Sequence, residues 1–238
     1  MAYCILIRHG RSTANTKGVL AGWTPGVSLD ETGRQQAARL VERLEDTPVV
    51  HVATSPLQRC RETAEPLLAA HGLEAQVHEG LGECRYGAWT GRAISELAKD
   101  PLWRVVQDTP SRVTFPAGDD YDGESMQAMS DRAVAAVREI DAAVTAEHGA
   151  HAVWAAVSHG DVIKAVLADA VGTPLDDFQR LHVDPASISV VHYTESRPML
   201  LRSNDTGSSA LKPPPPAPDT PAAGDAVVGG GAGLGSTS

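Results

Sequence analysis

The chain has 238 residues, with 20 Lys+Arg against 30 Asp+Glu, giving a formal charge of −10. That acidic balance excludes a protein whose whole surface grips nucleic acid or anionic membrane, since those partners recruit basic faces, but it leaves room for a small cationic pocket. The 42% hydrophobic content suits a globular domain with a sizeable core, and the longest apolar runs, residues 5–7 and 152–157, fall far short of the ~20 residues of a membrane helix.

In chain order, the N-terminus leads without a basic or signal-like segment into residues 4–7, a short, continuously apolar run that predicts a strand covered on both faces. Residues 30–46 open on Asp30 and space Ala37, Leu40, Val41 and Leu44 as a helix. Residues 49–54 read as a strand. Residues 56–71 read as a helix with Pro56 in its first turn and Gly72 closing it. Residues 75–78 suggest a short strand. Residues 84–122 are irregular and are expected to form a small cap insertion. Their acidic stretch, 119–124, does not fit a calcium loop, because that frame puts Gly118 first and Met129 twelfth. Asp122 to Glu124 are instead expected to aid the start of the next helix. That helix, 123–148, carries Met126, Met129, Ala133, Val137, Ile140 and Val144 on one stripe. A fully apolar strand at 152–157, a helix at 161–171 and strands at 187–193 and 199–202 complete the body.

This alternation predicts an α/β fold, a three-layer α/β/α sandwich around a mainly parallel sheet, over residues 1–204. From Leu211 onward six prolines and six glycines come with no aromatic residue, so 205–238 is expected to be a disordered tail. Cys4, Cys60 and Cys84 fit neither a disulfide framework nor a zinc knuckle, and a reducing cytoplasmic setting is expected.

Two histidines occupy matching positions. The run 4–7 leads into Arg8-His9-Gly10, and the run 152–157 leads into Ser158-His159-Gly160. Each pair falls where a buried strand ends and a helix-bound turn begins, the edge at which open α/β sheets collect ligands. Spacing alone is equally compatible with two unrelated turn histidines. The neighbouring residues go further. Arg8-His9-Gly10-Arg11-Ser12-Thr13-Ala14-Asn15 resembles the RHG(E/Q)xxxN signature of the histidine phosphatase (phosphoglycerate mutase-like) superfamily. Three further motifs follow in that family's order: Ser55-Pro56-Leu57-Gln58-Arg59-Cys60-Arg61-Glu62-Thr63-Ala64, Leu81-Gly82-Glu83-Cys84-Arg85-Tyr86-Gly87, and Ser158-His159-Gly160.

The resemblance implies a phosphomonoester hydrolase that acts on a small phosphorylated metabolite through a phosphohistidine intermediate, with neither metal nor cofactor. By resemblance His9 is the nucleophile, and the Gly10 carbonyl holds its second nitrogen in the needed tautomer. Arg8, Arg59 and His159 form the phosphate pocket, where fixed donors meet three charged oxygens, with Asn15, Ser12 and Gly160 as lesser contacts. Glu83 protonates the leaving alkoxide and then takes a proton from the attacking water. Cys84 stands where related mutases carry an arginine, and the segment before His159 is short, which favours the phosphatase branch over a phosphomutase. A non-catalytic phospho-ligand binding protein is a second alternative. Arg11 departs from the usual Glu or Gln and is expected to add positive charge at the pocket mouth. Trp89, Trp103, Phe115 and Tyr121 are expected either to meet the leaving group or to form the cap's own core. The implied partner is a small phosphate ester, with no nucleic acid and no membrane, and a homodimer stays open.

Overall fold

In a computed structural model of the chain, which describes residues 1–208 and 228–230, strand periodicity sets the layering. Along β1 (Tyr3–Arg8) and β4 (Val153–Ser158) successive side chains point to opposite faces. Cys4, Leu6, Trp154 and Ala156 enter one apolar cluster, and Ile5, Ile7, Ala155 and Val157 enter another. Strands apolar on both sides need cover on both sides. Helices α2 (Glu31–Arg43) and α3 (Gln58–His71) supply one cover with Leu40, Ala64 and Leu67. Helices α6 (Met126–His148) and α7 (Gly160–Ala170) supply the other with Met129, Val137, Val162 and Val166. The result is the expected α/β/α sandwich.

The sheet runs β3-β2-β4-β1-β5-β6, with β2 at Val49–Thr54, β3 at Ala75–Val77, β5 at Ile188–Tyr193 and β6 at Pro198–Asp205. Strands β1 to β4 pair in parallel, whereas β5 and β6 join antiparallel. The mainly parallel expectation is met. The register that matters is β1 on β4: Arg8 pairs with Ser158, so the residues that follow, His9 and His159, leave the same edge of the sheet side by side.

Several boundaries differ from expectation for identifiable reasons. Asp30 is the cap of α2, not its first residue, and its carboxylate accepts from Gly33 N–H. Pro56 lies before α3, which Leu57 caps, so the proline is not in the first turn. Helix α6 starts at Met126 because the Ser125 hydroxyl accepts from Ala128 N–H; Glu124, expected to help the helix start, binds Arg132 instead. The ends of the cap meet at the Tyr86–Gly123 bridge, and α4 (Ile94–Leu97) and α5 (Pro101–Asp108) lie between them. Trp89, Trp103 and Phe115 are buried, with Trp103 stacked on Trp89 and Phe115 meeting Trp89 edge-on, and they join the cluster of α6 and α7, so they are core and not leaving-group contacts; Tyr121 is partly exposed.

Within the segment expected to be a disordered tail, Asp205 ends β6, and Val228–Gly230 form a single turn with Val228 buried against the body. Residues 209–227 and 231–238, the rest of that expectation, lie outside the described residues. Among the described residues no helix is long and apolar enough to cross a membrane.

The loop after β1 is packed backbone to backbone on α2. A Cβ at Gly33 would overlap the Arg11 carbonyl oxygen, and one at Gly10 would lie 2.7 Å from Gly33 O. Neither partner can turn away, because both are main chain. Gly33→Ala is therefore expected to lower stability by about 1–3 kcal/mol in urea unfolding and to displace the His9 loop, so that any activity falls further than the unfolded fraction explains.

Candidate active site

His9 and His159 sit 5.2 Å apart between ring centroids, inclined at 62°. Both are buried, and the Arg59 guanidinium, fully buried as well, lies between them. Arg59 Nε donates to His9 Nε2 (3.3 Å), and Nη2 lies 3.1 Å from His159 Nδ1 and donates to the Gly22 carbonyl (3.0 Å). A guanidinium has only donors, so each ring must offer it a lone pair. The other nitrogens then carry the protons. His9 Nδ1 donates to Gly10 O (2.7 Å), and His159 Nε2 donates to Ser55 Oγ (2.8 Å). Burial holds both imidazoles well below the usual histidine range, and the Arg59 charge adds to it, so both rings are neutral near pH 7. His9 lines the pocket, and the Nε2 lone pair is the one it offers to Arg59.

Glu83 lines the same pocket, with Oε1 accepting from Cys84 N–H (3.0 Å) and Oε2 3.7 Å from His159 Nδ1. Burial, followed by the charge of Asp161, pushes its carboxyl up to about 7, against the opposing pull of Arg59 and Arg8. The pocket is also lined by Ser12, Asn15, Val19, Leu20, Ile94 and the turn residues Val228 and Gly229. Ser12 and Asn15 form a reciprocal cap on α1 (Thr13–Thr16), with Ser12 Oγ donating to Asn15 Oδ1 at 2.8 Å. Arg8 is wholly buried beneath the pocket. It donates to Val183 O (2.8 Å) and Gly229 O (3.3 Å), and burial lowers its guanidinium to about 10.

The structure thus brings His9, Arg59, Glu83, Ser12 and Asn15 to one cavity, with His159 and Arg8 directly behind it. Gly160 opens α7 from a buried position and is not among the lining residues. Arg11 does not add free charge at the mouth: its guanidinium is tied to Asp30 (2.6 Å) and Thr32 (2.7 Å). Among the described residues no cluster of His, Cys, Asp and Glu could hold a metal ion.

Three contributors have no role in the sequence reading, although Ser55 opens its second motif. Ser55 fixes the His159 tautomer. Asp161, the residue after His159-Gly160, raises Glu83. Arg132 on α6 clamps the Glu83 loop, donating to the carbonyls of Gly80 (3.0 Å), Gly82 (2.8 Å) and Glu83 (2.9 Å) while paired with Glu124 at 2.6 Å. Asp161 was readable from its adjacency to the second histidine. Arg132 was not, because nothing in a helix sequence says which loop its side chain will meet.

A six-stranded, mostly parallel sandwich with two histidines and a buried arginine at one sheet edge defines a class, and the chain belongs to it: the profile of the histidine phosphatase superfamily (branch 1) matches residues 4–206. Phosphoserine phosphatase 1 of Hydrogenobacter thermophilus is 29% identical over 209 residues, covering 87% of this chain and 93% of that protein. A protein described as "probable phosphoglycerate mutase GpmB", from Citrobacter koseri, is 31% identical over 199 residues, covering 82% and 87%. The alpha-ribazole phosphatase structure from Shigella flexneri superposes with a TM-score of 0.71 at 25% identity, covering 88% of this chain and all of that one.

The Arg132 clamp yields a direct test. Arg132→Met leaves three loop carbonyls and Glu124 without their cation, and is expected to cost about 3 kcal/mol in unfolding free energy. Because the Glu83 loop loses its anchor, turnover should fall even at temperatures where the variant is fully folded by circular dichroism.

Proposed function

We propose that the chain is a phosphomonoester hydrolase working through a phosphohistidine on His9. The observation that carries this reading is the tautomer lock: Nδ1–H is spent on Gly10 O, and an unprotonated Nε2 is presented to the pocket beside Arg59. His9 Nε2 attacks phosphorus in line, and the bond from phosphorus to the leaving oxygen breaks. Arg59, with Arg8, Ser12, Asn15 and the Gly160 backbone, supplies donors to the transferred oxygens, and His159 backs Arg59 from Nδ1, holding the guanidinium in place. The Nδ1–H bond to Gly10 O steadies the positive charge on the phosphorylated ring. Glu83, raised toward neutrality, gives its proton to the departing alkoxide. Its carboxylate then takes a proton from water, whose oxygen attacks phosphorus. The P–N bond breaks, phosphate leaves, and both His9 and the acid are restored.

The mutase alternative has little structural support. The side chain after the acid, Cys84, is fully buried with Sγ 3.9 Å from Met126 Sδ, so that position offers the pocket no cation. We place the enzyme in a reducing cytoplasm, where its three buried thiols stay free, and read it as independent of metal. A second copy would most readily use edge strand β6, where Met199 and Leu201 are exposed.

Turnover of a phosphomonoester panel in EDTA, unchanged by adding bisphosphoglycerate, is the expected result; activity confined to mutase turnover with the bisphosphate overturns the proposal. His9→Ala should abolish acid-labile, alkali-stable labelling from a phosphorylated substrate, and label that survives it refutes the nucleophile.

Glu83 gives a signed pH test. The acid must hold its proton when the leaving group departs, so kcat/KM should fall about tenfold per pH unit above about 7. Glu83→Gln should remove that limb and lower kcat/KM for alkyl phosphates by about 10²–10⁴, with a smaller loss for p-nitrophenyl phosphate, whose leaving group needs no acid. Stability should move the other way. A carboxyl raised by folding destabilises the native state as pH climbs from its unfolded value through about 7. Glu83→Gln should therefore melt above the parent at pH 8, with the gap closing toward pH 5.

A further inference from the structure

One buried carboxylate beside the pocket has no step in this chemistry. Asp161, in the first turn of α7, is fully buried. Its Oδ2 accepts from the Tyr86 hydroxyl (2.8 Å) and from the backbone N–H of Gly229 (2.8 Å). Its Oδ1 receives no hydrogen bond among the described residues. That oxygen faces Lys164 Nζ at 3.8 Å, and the ammonium spends its own hydrogen bond on Gln179 Oε1 (3.0 Å). Oδ1 is thus answered by a charge, and Oδ2 is the oxygen that takes donors, one from Tyr86 and one from the turn at Gly229.

Gly229 marks where a donor can stand. It lines the same pocket as His9, Arg59 and Glu83. Its N–H is on Asp161, and its carbonyl accepts from Arg8 Nη2 at 3.3 Å. One residue of the chain therefore spans from Arg8, on the proposed phosphate side, to Asp161. The seat is narrow. Gly229 adopts φ 74°, a left-handed conformation that favours glycine, and a Cβ there would press on the end of the Leu20 side chain at 2.9 Å. The polar contacts that hold it are two main-chain groups, and a ligand with an acceptor and a donor at similar spacing could replace both.

We infer that Asp161 is a specificity-determining residue of a leaving-group subsite. It reads a hydrogen-bond donor, N–H or O–H, on the alcohol of the phosphate monoester, and the Gly229 N–H occupies that position until substrate displaces it. The inference rests on the phosphatase reading and deepens it: the substrates are phosphate esters of amino alcohols or polyols, not of plain alkyl alcohols. An ester without the donor would displace Gly229 and leave Asp161 short of its partner.

Three esters of matched size separate the cases: 2-aminoethyl, 2-hydroxyethyl and propyl phosphate, which place an amine, a hydroxyl or a methyl at the same atom. With the full chain, kcat/KM for at least one donor ester should exceed that for propyl phosphate by about 10–100-fold, and the amine and hydroxyl arms identify which donor is read. Asp161→Leu should bring the ratio close to one. Gly229→Val, which unseats the turn, should lower KM for all three esters and preserve the ratio. Because Asp161→Leu removes a buried partner of Tyr86 and could fail to fold, the same three esters are also titrated calorimetrically into His9→Ala, where Asp161 is intact and the same order of affinity is expected. Equal kcat/KM for all three esters on the parent chain overturns the Asp161 assignment and leaves the phosphatase reading standing. No turnover of any ester, with donor esters still bound at least tenfold more tightly by His9→Ala, overturns the phosphatase reading and upholds the Asp161 assignment. No turnover with equal binding overturns both.

Discussion

The buried guanidinium of Arg59 is the constraint from which the site follows. It lies within hydrogen-bond distance of both histidine rings and of a main-chain carbonyl. Burial first, and the permanent cation with it, disfavours a positive charge on either ring of the free enzyme, so the imidazoles stay neutral, and the hydrogen bonds from Arg59 put their protons on the far nitrogens. One side chain thereby decides the tautomer and the orientation of two others and reinforces the neutrality that burial imposes. The far nitrogens then need acceptors, which Gly10 O and Ser55 Oγ provide. Lysine could not take this place, because a single ammonium lacks the planar fork that reaches His9 through Nε and His159 through Nη2.

The fold exists to make that arrangement affordable. Strands buried on both faces have no room for charge along their length, so polar chemistry is confined to the edge where β1 and β4 end. Their parallel pairing, with Arg8 opposite Ser158, brings two histidines 150 positions apart in sequence to a centroid distance of 5.2 Å. Helix α3 runs back along the adjacent cover and presents Arg59 from its first turn. The Gly10–Gly33 contact holds the loop after β1 against α2, leaving His9 little freedom to drift.

The parts legible in the sequence were those set by local pattern. Continuous apolar runs marked β1 and β4, helical stripes marked α2 and α6, and Gly72 marked the end of α3 through its left-handed φ of 65°. The motif residues His9, Arg59, Glu83, Ser12 and Asn15 share one cavity. What sequence left hidden depended on long-range partners. Arg11 looked like free charge until Asp30 came to it across 19 positions, and Glu124 looked like a helix starter until Arg132 took both its oxygens. The cap aromatics could be core or contact, and only the packing of Trp89 on Trp103 and Phe115 decides for core. Val228–Gly229 hid for another reason: a Gly- and Pro-rich composition signals high entropy, yet a single glycine can be favoured by the left-handed φ its seat requires.

An acidic protein binding an acidic ester seems to face an electrostatic conflict, which the protonation of Glu83 resolves. The pocket region holds the cations of Arg8 and Arg59 but also the carboxyls of Glu83 and Asp161. If both carboxyls were ionised they would offset much of the attraction felt by an incoming phosphate. Burial, together with the neighbouring Asp161 charge, lifts Glu83 to about 7, so near neutrality it carries its proton for a substantial fraction of the time. In the proposed mechanism the proton that reduces repulsion during binding is also the one that the leaving oxygen takes. Losing it on transfer makes Glu83 an anion at the moment a water must be deprotonated. In that mechanism Asp161 acts on the chemistry from behind: by raising its neighbour it favours a neutral acid before the transfer and a stronger base after it.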